Sequence, residues 1–274
     1  MESLDRFVNR DQAYLRDIQY VNGEKLRART QLHSKYATQS VPWQIWLQRL
    51  IEIPKGGEVL EVGCGTGLLW TIGWANEESD FALTLTDLSV GMVAETTPLV
   101  QRTIHNVTGL AADAQDLPFA DDSFDVVVAN QMLYHVPDPT QALGEFARVL
   151  RGGGVLMAST IGGGHLRELF RIEASVFGPT RVLRHHEVFG AQSGGKLLAE
   201  FFDDIAWHSY DDRLLCTDTD DVIAYICSTP PGEDASSDHV ARLRQAIEDE
   251  MAQHDGVLVV TKDVGAFVAR RKSN

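Results

Sequence analysis

Little in this sequence of 274 residues is suited to cross-linking or metal capture. Its three cysteines, Cys64, Cys216 and Cys227, lie far apart and form no C-x-x-C pair. Neither a disulfide framework nor a zinc site is expected, and such sparing use of cysteine fits a reducing cytoplasm. Positive charge is also short: 24 Lys and Arg against 39 Asp and Glu give a formal net charge of -15. That field repels phosphate backbones and anionic lipid heads, so neither nucleic acid nor a membrane is the expected partner. No uninterrupted apolar run approaches the roughly 20 residues that span a bilayer. The charged start MESLDRFVNRDQAYLRD does not resemble an export signal. Repeats, low-complexity tracts and long linkers are missing as well, which favours one domain.

What is present suffices for a full core: 44% of the residues are hydrophobic, with 11 Phe, 6 Tyr and 5 Trp. From about residue 55 to 160, strand-like runs (EVLEV, FALTLTD, VTGLAAD, FDVVVAN, GVLMAST) alternate with helical patterns (GLLWTIGWA, SVGMVAE, PTQALGEFARVL). This rhythm predicts a parallel sheet with helices on both faces. The clearest helix starts at Asp138 as N-cap with Pro139 at N1. It runs through Leu143, Phe146, Ala147 and Leu150 to a glycine stop at 152–154. Pro98 should end or kink the helix after SVGMVAE. Residues 2–52, 164–202 and 218–254 read as helical, FDDIAWHSYDDRLLCT as one strand with an extension, and GVLVVTKDVGAFVARR as a terminal β-hairpin with KDVG near its turn.

The stretch VLEVGCGTGLLW carries Gly63, Gly65 and Gly67 at every second position. A dinucleotide loop wants G-x-G-x-x-G, and Leu68 stands where its third glycine belongs. Glu61 precedes the loop, Asp87 ends the next apolar run, where it suits ribose hydroxyls, and Asp113 follows the third. All three would lie at carboxyl ends of neighbouring strands, the ligand crevice of an open α/β sheet.

These residues resemble the class I S-adenosylmethionine-dependent methyltransferases. VLEVGCGTG is similar to their first motif and LTLTDLSVGMV to their second. ADAQDLPFADDSFDVVVANQMLYHVPD, followed by EFARVLRGGGVLMAST, is similar to the long signature of the methyltransferase type 11 group. The likeness spans about residues 57–160. The flanks LHSKYATQSVPWQIWL and GGGHLREL also resemble bacterial methyltransferases of the small-molecule type. The resemblance implies an α/β, Rossmann-like, seven-stranded and mostly parallel sheet with a terminal antiparallel strand. Residues 1–54 would form a helical lid, 55–160 the cofactor-binding core, and 161–274 substrate-side helices and closing strands of the same domain. It implies S-adenosylmethionine as cofactor. Glu61 and the turn at Gly63, Gly65 and Gly67 would hold its methionine end, Asp87 the ribose and Leu88 the adenine face. Asp113 and the backbone of Ala114 would take the adenine edge. Asn130 and Gln131 would sit beside the methionine portion, with Tyr36 closing over the cofactor from the lid. Trp43 of the lid and Tyr134 and Glu168 from the core side would meet the substrate.

Methyl transfer from a sulfonium is an in-line displacement, helped most by alignment and exclusion of water. A protonated oxygen or nitrogen acceptor needs a base, and histidine has the suitable pKa. His135 in NQMLYHVPD is the best-placed candidate, although it equally suits packing against a helix. His165 and Glu168 are three apart and would share a helix face, either towards the crevice or in solvent. His33, Tyr36, Trp43 and Trp46 serve a lid or simply join helices. RHHE at 184–187 reads as a solvated face rather than a metal site. The expected reaction is methylation of a small molecule or peptide on O, N or C. NQML at 130–133 is unlike the N-P-P-Y type tetrapeptide of enzymes that methylate planar amines. Two readings compete with this one: an NAD-dependent oxidoreductase, and a non-catalytic S-adenosylmethionine-binding module.

Overall fold

Val59, Leu60 and Val62 are almost fully buried on both faces of one short strand, the signature of a strand in the middle of a covered parallel sheet. The computed structural model describes residues 2–74, 80–178 and 185–272. Its strands are β1 (Gly57–Val62), β2 (Phe81–Asp87), β3 (Val107–Ala111), β4 (Phe124–Asn130), β5 (Leu150–Ile161), β6 (Phe202–Ser209), β7 (Asp212–Cys216), β8 (Leu258–Lys262) and β9 (Val264–Arg271). Among the described residues, seven of them form a sheet in the order β3-β2-β1-β4-β5-β9-β6. The first five are mutually parallel, and β9 runs antiparallel between β5 and β6. This is the expected Rossmann-like sheet, with the order reversing at β1, where β2 and β4 flank it and a crevice opens.

The helices are α1 (Glu2–Val8), α2 (Gln12–Tyr14), α3 (Glu24–Tyr36), α4 (Trp43–Gln48), α5 (Leu68–Gly73), α6 (Val90–Val100), α7 (Pro139–Val149), α8 (Arg167–Phe177), α9 (His185–Val188), α10 (Gly194–Leu198), α11 (Thr219–Ile226) and α12 (Ser237–Ala252). On one sheet face Leu60, Val127 and Leu156 pack against Leu143 and Phe146 of α7. On the other, Val59, Leu83 and Val126 pack against Trp70 of α5 and Leu47 of α4. A third core lies beyond the carboxyl edge of the sheet. There Leu32 of α3, Leu169 of α8, Val222 of α11 and Leu243 of α12 close over Leu214 and Val260 of β7 and β8. This third core roofs the crevice.

Several local expectations need correction. The helix capped by Asp138 forms, its carboxylate accepting from the N–H groups of Thr140 and Gln141, but it ends at Val149. Leu150 and the glycines at 152–154 belong to β5: Leu150 pairs with Phe124 of β4, the glycines fall in a register shift, and pairing resumes at Val155 with Val126. Pro98 sits inside α6, which ends two residues later at Val100. The run 202–217 is two strands in two sheets, not one strand with an extension. The terminal pair is no hairpin: β8 pairs with β7, while β9 inserts between β5 and β6. Of the helical stretch 164–202, residues 179–184 lie outside the described residues.

Candidate active site

The buried strand β1 delivers the chain to the glycine turn at the sheet edge. Gly63, Gly65 and Gly67 all adopt positive φ, at 71°, 49° and 70°. At Gly67 the need is double, since a Cβ there would stand 2.6 Å from Thr96 Cγ2 and 2.7 Å from Val100 Cγ2. The turn is pinned to the next strand: Cys64 N–H donates to Thr86 O (2.9 Å) and Gly65 N–H to Asp87 Oδ2 (3.1 Å). Asp87 also accepts from Ser89 N–H at 2.9 Å. Burial pushes its carboxyl above the ordinary value, and the N–H groups of Ser89, Gly65 and Leu88 pull against that.

Glu61, at 1% exposure, accepts the indole N–H of Trp70 at 2.6 Å. Burial outweighs that bond and lifts its carboxyl to about 8. At the end of β3, Asp113 accepts from Gln115 N–H (2.9 Å) and from the amide of Gln12 (2.8 Å), so α2 reaches across the mouth of the crevice. At the end of β4, Gln131 takes a left-handed φ of 56°, held there by its N–H donating to Ser159. The Gln131 side-chain oxygen accepts from Tyr134 O–H at 3.1 Å, and its amide nitrogen is buried without a partner among the described residues.

His135 ends the single turn Leu133–His135, with Nε2 3.0 Å from Tyr20 O–H and Nδ1 buried without a partner among the described residues. Its ring packs among Phe7, Tyr134 and His185, with centroids 4.6 to 5.5 Å away. Burial drives it well below the ordinary histidine value, so it is neutral at pH 7. His165 is likewise buried and neutral, stacked on His33 at 6.1 Å.

One cavity of about 770 Å³ joins these groups. Glu61, Gly63, Gly65, Gly67, Asp87, Leu88, Asp113, Ala114, Asn130, Gln131, Trp43, Tyr134, His135 and His165 all line it. Two candidates do not. Tyr36 turns into the third core and donates its hydroxyl to Asp221 at 2.7 Å, because its side of α3 is the packing side. Glu168 accepts from Thr261 N–H (2.9 Å) and O–H (2.8 Å) and faces away from the cavity. His165 and Glu168 share no helix face, since α8 begins only after Leu166, whose φ is 53°. Arg184 of RHHE lies outside the described residues, and His185 is not solvated: it lines the cavity, held near 4 by burial.

Sequence reasoning missed Arg29, Glu173, Tyr225 and Lys262, which line the far end of the cavity. Glu173 had a legible signal, an acid among Leu169, Ile172 and Val176 on the apolar side of α8. Arg29 and His33 also stand four apart on α3, as residues sharing one face do.

A family profile described as a methyltransferase domain matches residues 60–158. A demethylmenaquinone methyltransferase of Listeria welshimeri is 38% identical over 118 residues, 42% of this chain and 50% of that protein. The chain spans about half the length of the Listeria relatives it matches. The demethylmenaquinone methyltransferase of Geobacillus stearothermophilus is 31% identical over 170 residues, 60% of this chain and 67% of that protein. Among solved structures, phosphoethanolamine N-methyltransferase 2 of Haemonchus contortus shares the fold. Its TM-score is 0.58 at 19% identity, covering 96% of this chain and 60% of that one. On these matches and the sheet that carries the glycine turn, the chain belongs to the class I S-adenosylmethionine-dependent methyltransferases.

Proposed function

We propose that this protein transfers the methyl group of S-adenosylmethionine to a small-molecule acceptor held in the same cavity. The observation that carries this reading is the convergence of the glycine turn, Asp87, Asp113 and His135 on one cavity of about 770 Å³. That volume suits small molecules, whose sites run from roughly 300 to 1,000 Å³. The residues fit the cofactor: Gly63 and Gly65 leave the turn bare of side chains, and the buried amide nitrogen of Gln131, unpartnered among the described residues, calls for an acceptor such as a carboxylate. Asp87 would take the ribose hydroxyls, Asp113 and Ala114 the adenine edge beside Leu88, and Glu61, Asn130 and Gln131 the methionine end.

When bound, the cofactor supplies a methyl carbon made electrophilic by a positive sulfur. The chain's own task is to align an acceptor in line with that carbon and exclude water. Trp43 and Tyr134 supply flat walls for it. Neutral His135, backed by Tyr20, is placed to take a proton from an acceptor hydroxyl or amine, and His165 is the second candidate. The cavity's volume favours a small molecule, and the names of the Listeria and Geobacillus relatives point the same way.

Calorimetric titration with S-adenosylmethionine, S-adenosylhomocysteine and NAD in parallel tests the reading. The first two should bind and NAD should not; binding of NAD alone would transfer the site to hydride chemistry.

A further inference from the structure

Among the described residues, six buried side-chain nitrogens have no hydrogen-bond partner, and five of them line this single cavity. A buried polar group left unpaired is costly, so five in one space call for hydrogen-bonding partners there, supplied by water or by a polar ligand that displaces it. Gln131 and His135 lie at the strand ends beside the glycine turn. The other three, Arg29 Nη2, His33 Nδ1 and His165 Nδ1, come from α3 and the segment before α8.

Arg29 has no carboxylate within 4 Å among the described residues. Its partners are the carbonyl of Lys25 and the hydroxyl of Tyr20, both at 3.3 Å, and the Tyr20 ring, whose centroid lies 5.2 Å from its guanidinium carbon. On α8, lining the same cavity, Glu173 is 7% exposed and has no hydrogen bond or ion pair among the described residues. Tyr225 of α11 feels the charges of both Arg29 and Glu173, and its ring stands edge-on to His33 at 5.8 Å. The rings of Tyr225, Phe170 and the His33–His165 stack leave a flat-walled space. A lone guanidinium wants an oxygen anion, a lone buried carboxyl wants a hydroxyl, and flat walls want a planar body.

Building on the methyltransferase reading, we propose that the end of the cavity bounded by Arg29, His33, His165, Glu173 and Tyr225 is the acceptor subsite. Its ligand is a planar oxyacid, with an ionised oxygen on Arg29 and a hydroxyl on Glu173. The lone Arg29 selects acceptors by charge, and the neutral histidines complete the hydrogen bonding without adding charge.

The test uses the full chain saturated with S-adenosylhomocysteine and three probes that share a diphenol ring. These are protocatechuate (a carboxylate), its methyl ester (neutral) and dopamine (an amine), each titrated calorimetrically. The acid should bind roughly tenfold or more tightly than the ester, and the amine least. Arg29→Met should weaken the acid by a similar factor and leave the ester unchanged, and Arg29→Lys should restore part of the loss. Glu173→Gln should weaken acid and ester alike. Tighter binding of the amine, equal effects of Arg29→Met on acid and ester, or no binding of any probe to the loaded chain would overturn the proposal. Failure of S-adenosylhomocysteine itself to bind would instead overturn the methyltransferase reading.

Discussion

Replacing Glu61 by glutamine isolates the energetic consequence of placing an acid at the end of a buried strand. Glu61 is 1% exposed, and its one strong partner is the indole N–H of Trp70. Burial is the larger effect and carries the carboxyl from 4.5 to about 8, with Asp87 nearby adding to the rise. A carboxyl whose pKa is raised by folding binds its proton more tightly in the folded chain. Its stabilising contribution is therefore complete below about pH 4.5 and is lost as pH rises through about 8. At about 1.36 kcal/mol per pH unit, the ceiling on that loss is about 5 kcal/mol. Glu173, lifted to about 7 by burial, acts with the same sign, so the wild-type profile mixes the two groups. Glutamine cannot ionise yet keeps an oxygen for Trp70, so the difference between the two proteins reports Glu61 alone. Urea unfolding of the cofactor-free chains at about pH 5, 7 and 9 should show the wild type losing roughly 3–5 kcal/mol more than Glu61→Gln. Parallel profiles would refute the reasoning. The proposed contact with the cofactor's methionine end, which carries a cationic amino group, adds a second readout. Binding near pH 7 should release a proton from the wild type but not from the variant, seen as a buffer-dependent enthalpy.

Asp87→Ala should weaken S-adenosylmethionine binding by roughly 1–3 kcal/mol through lost ribose hydrogen bonds, read by calorimetry; unchanged affinity would remove Asp87 from that role. Gly67→Ala should destabilise the fold by roughly 2–4 kcal/mol in denaturant unfolding. It combines a positive φ with a Cβ driven into Thr96 and Val100. Lys262→Met should cost about 3 kcal/mol in the same assay, because it strips the cation from Asp212 in a pair whose side chains are 7% and 0% exposed. A loss under about 1 kcal/mol would show that the hydrogen bonds from Thr38 and Gln39 to Asp212 are sufficient without the lysine.

Elements whose information is local could be read before any coordinates were known. The strand β1 announces itself by continuous apolar residues, the turn after it by glycines that alone tolerate its φ values, and α7 by an Asp-Pro start. Asp87 and Asp113 follow because parallel strands end on the same edge, which makes their meeting a property of sheet topology rather than of side-chain packing. Pairing across long separations was not legible. Nothing in GVLVVTKDVGAFVARR says that its two halves join different sheets, since either half satisfies the same alternation. Nor does a helix sequence state which of two faces meets a cavity. Tyr36 turned into the third core and Glu168 towards Thr261, while Arg29 and Glu173 turned inward. Order along the chain thus set the cofactor edge of this protein. The acceptor end, assembled from α3, α8, α11 and β8, was decided only when those four distant elements packed together, because their inward faces exist only in that arrangement.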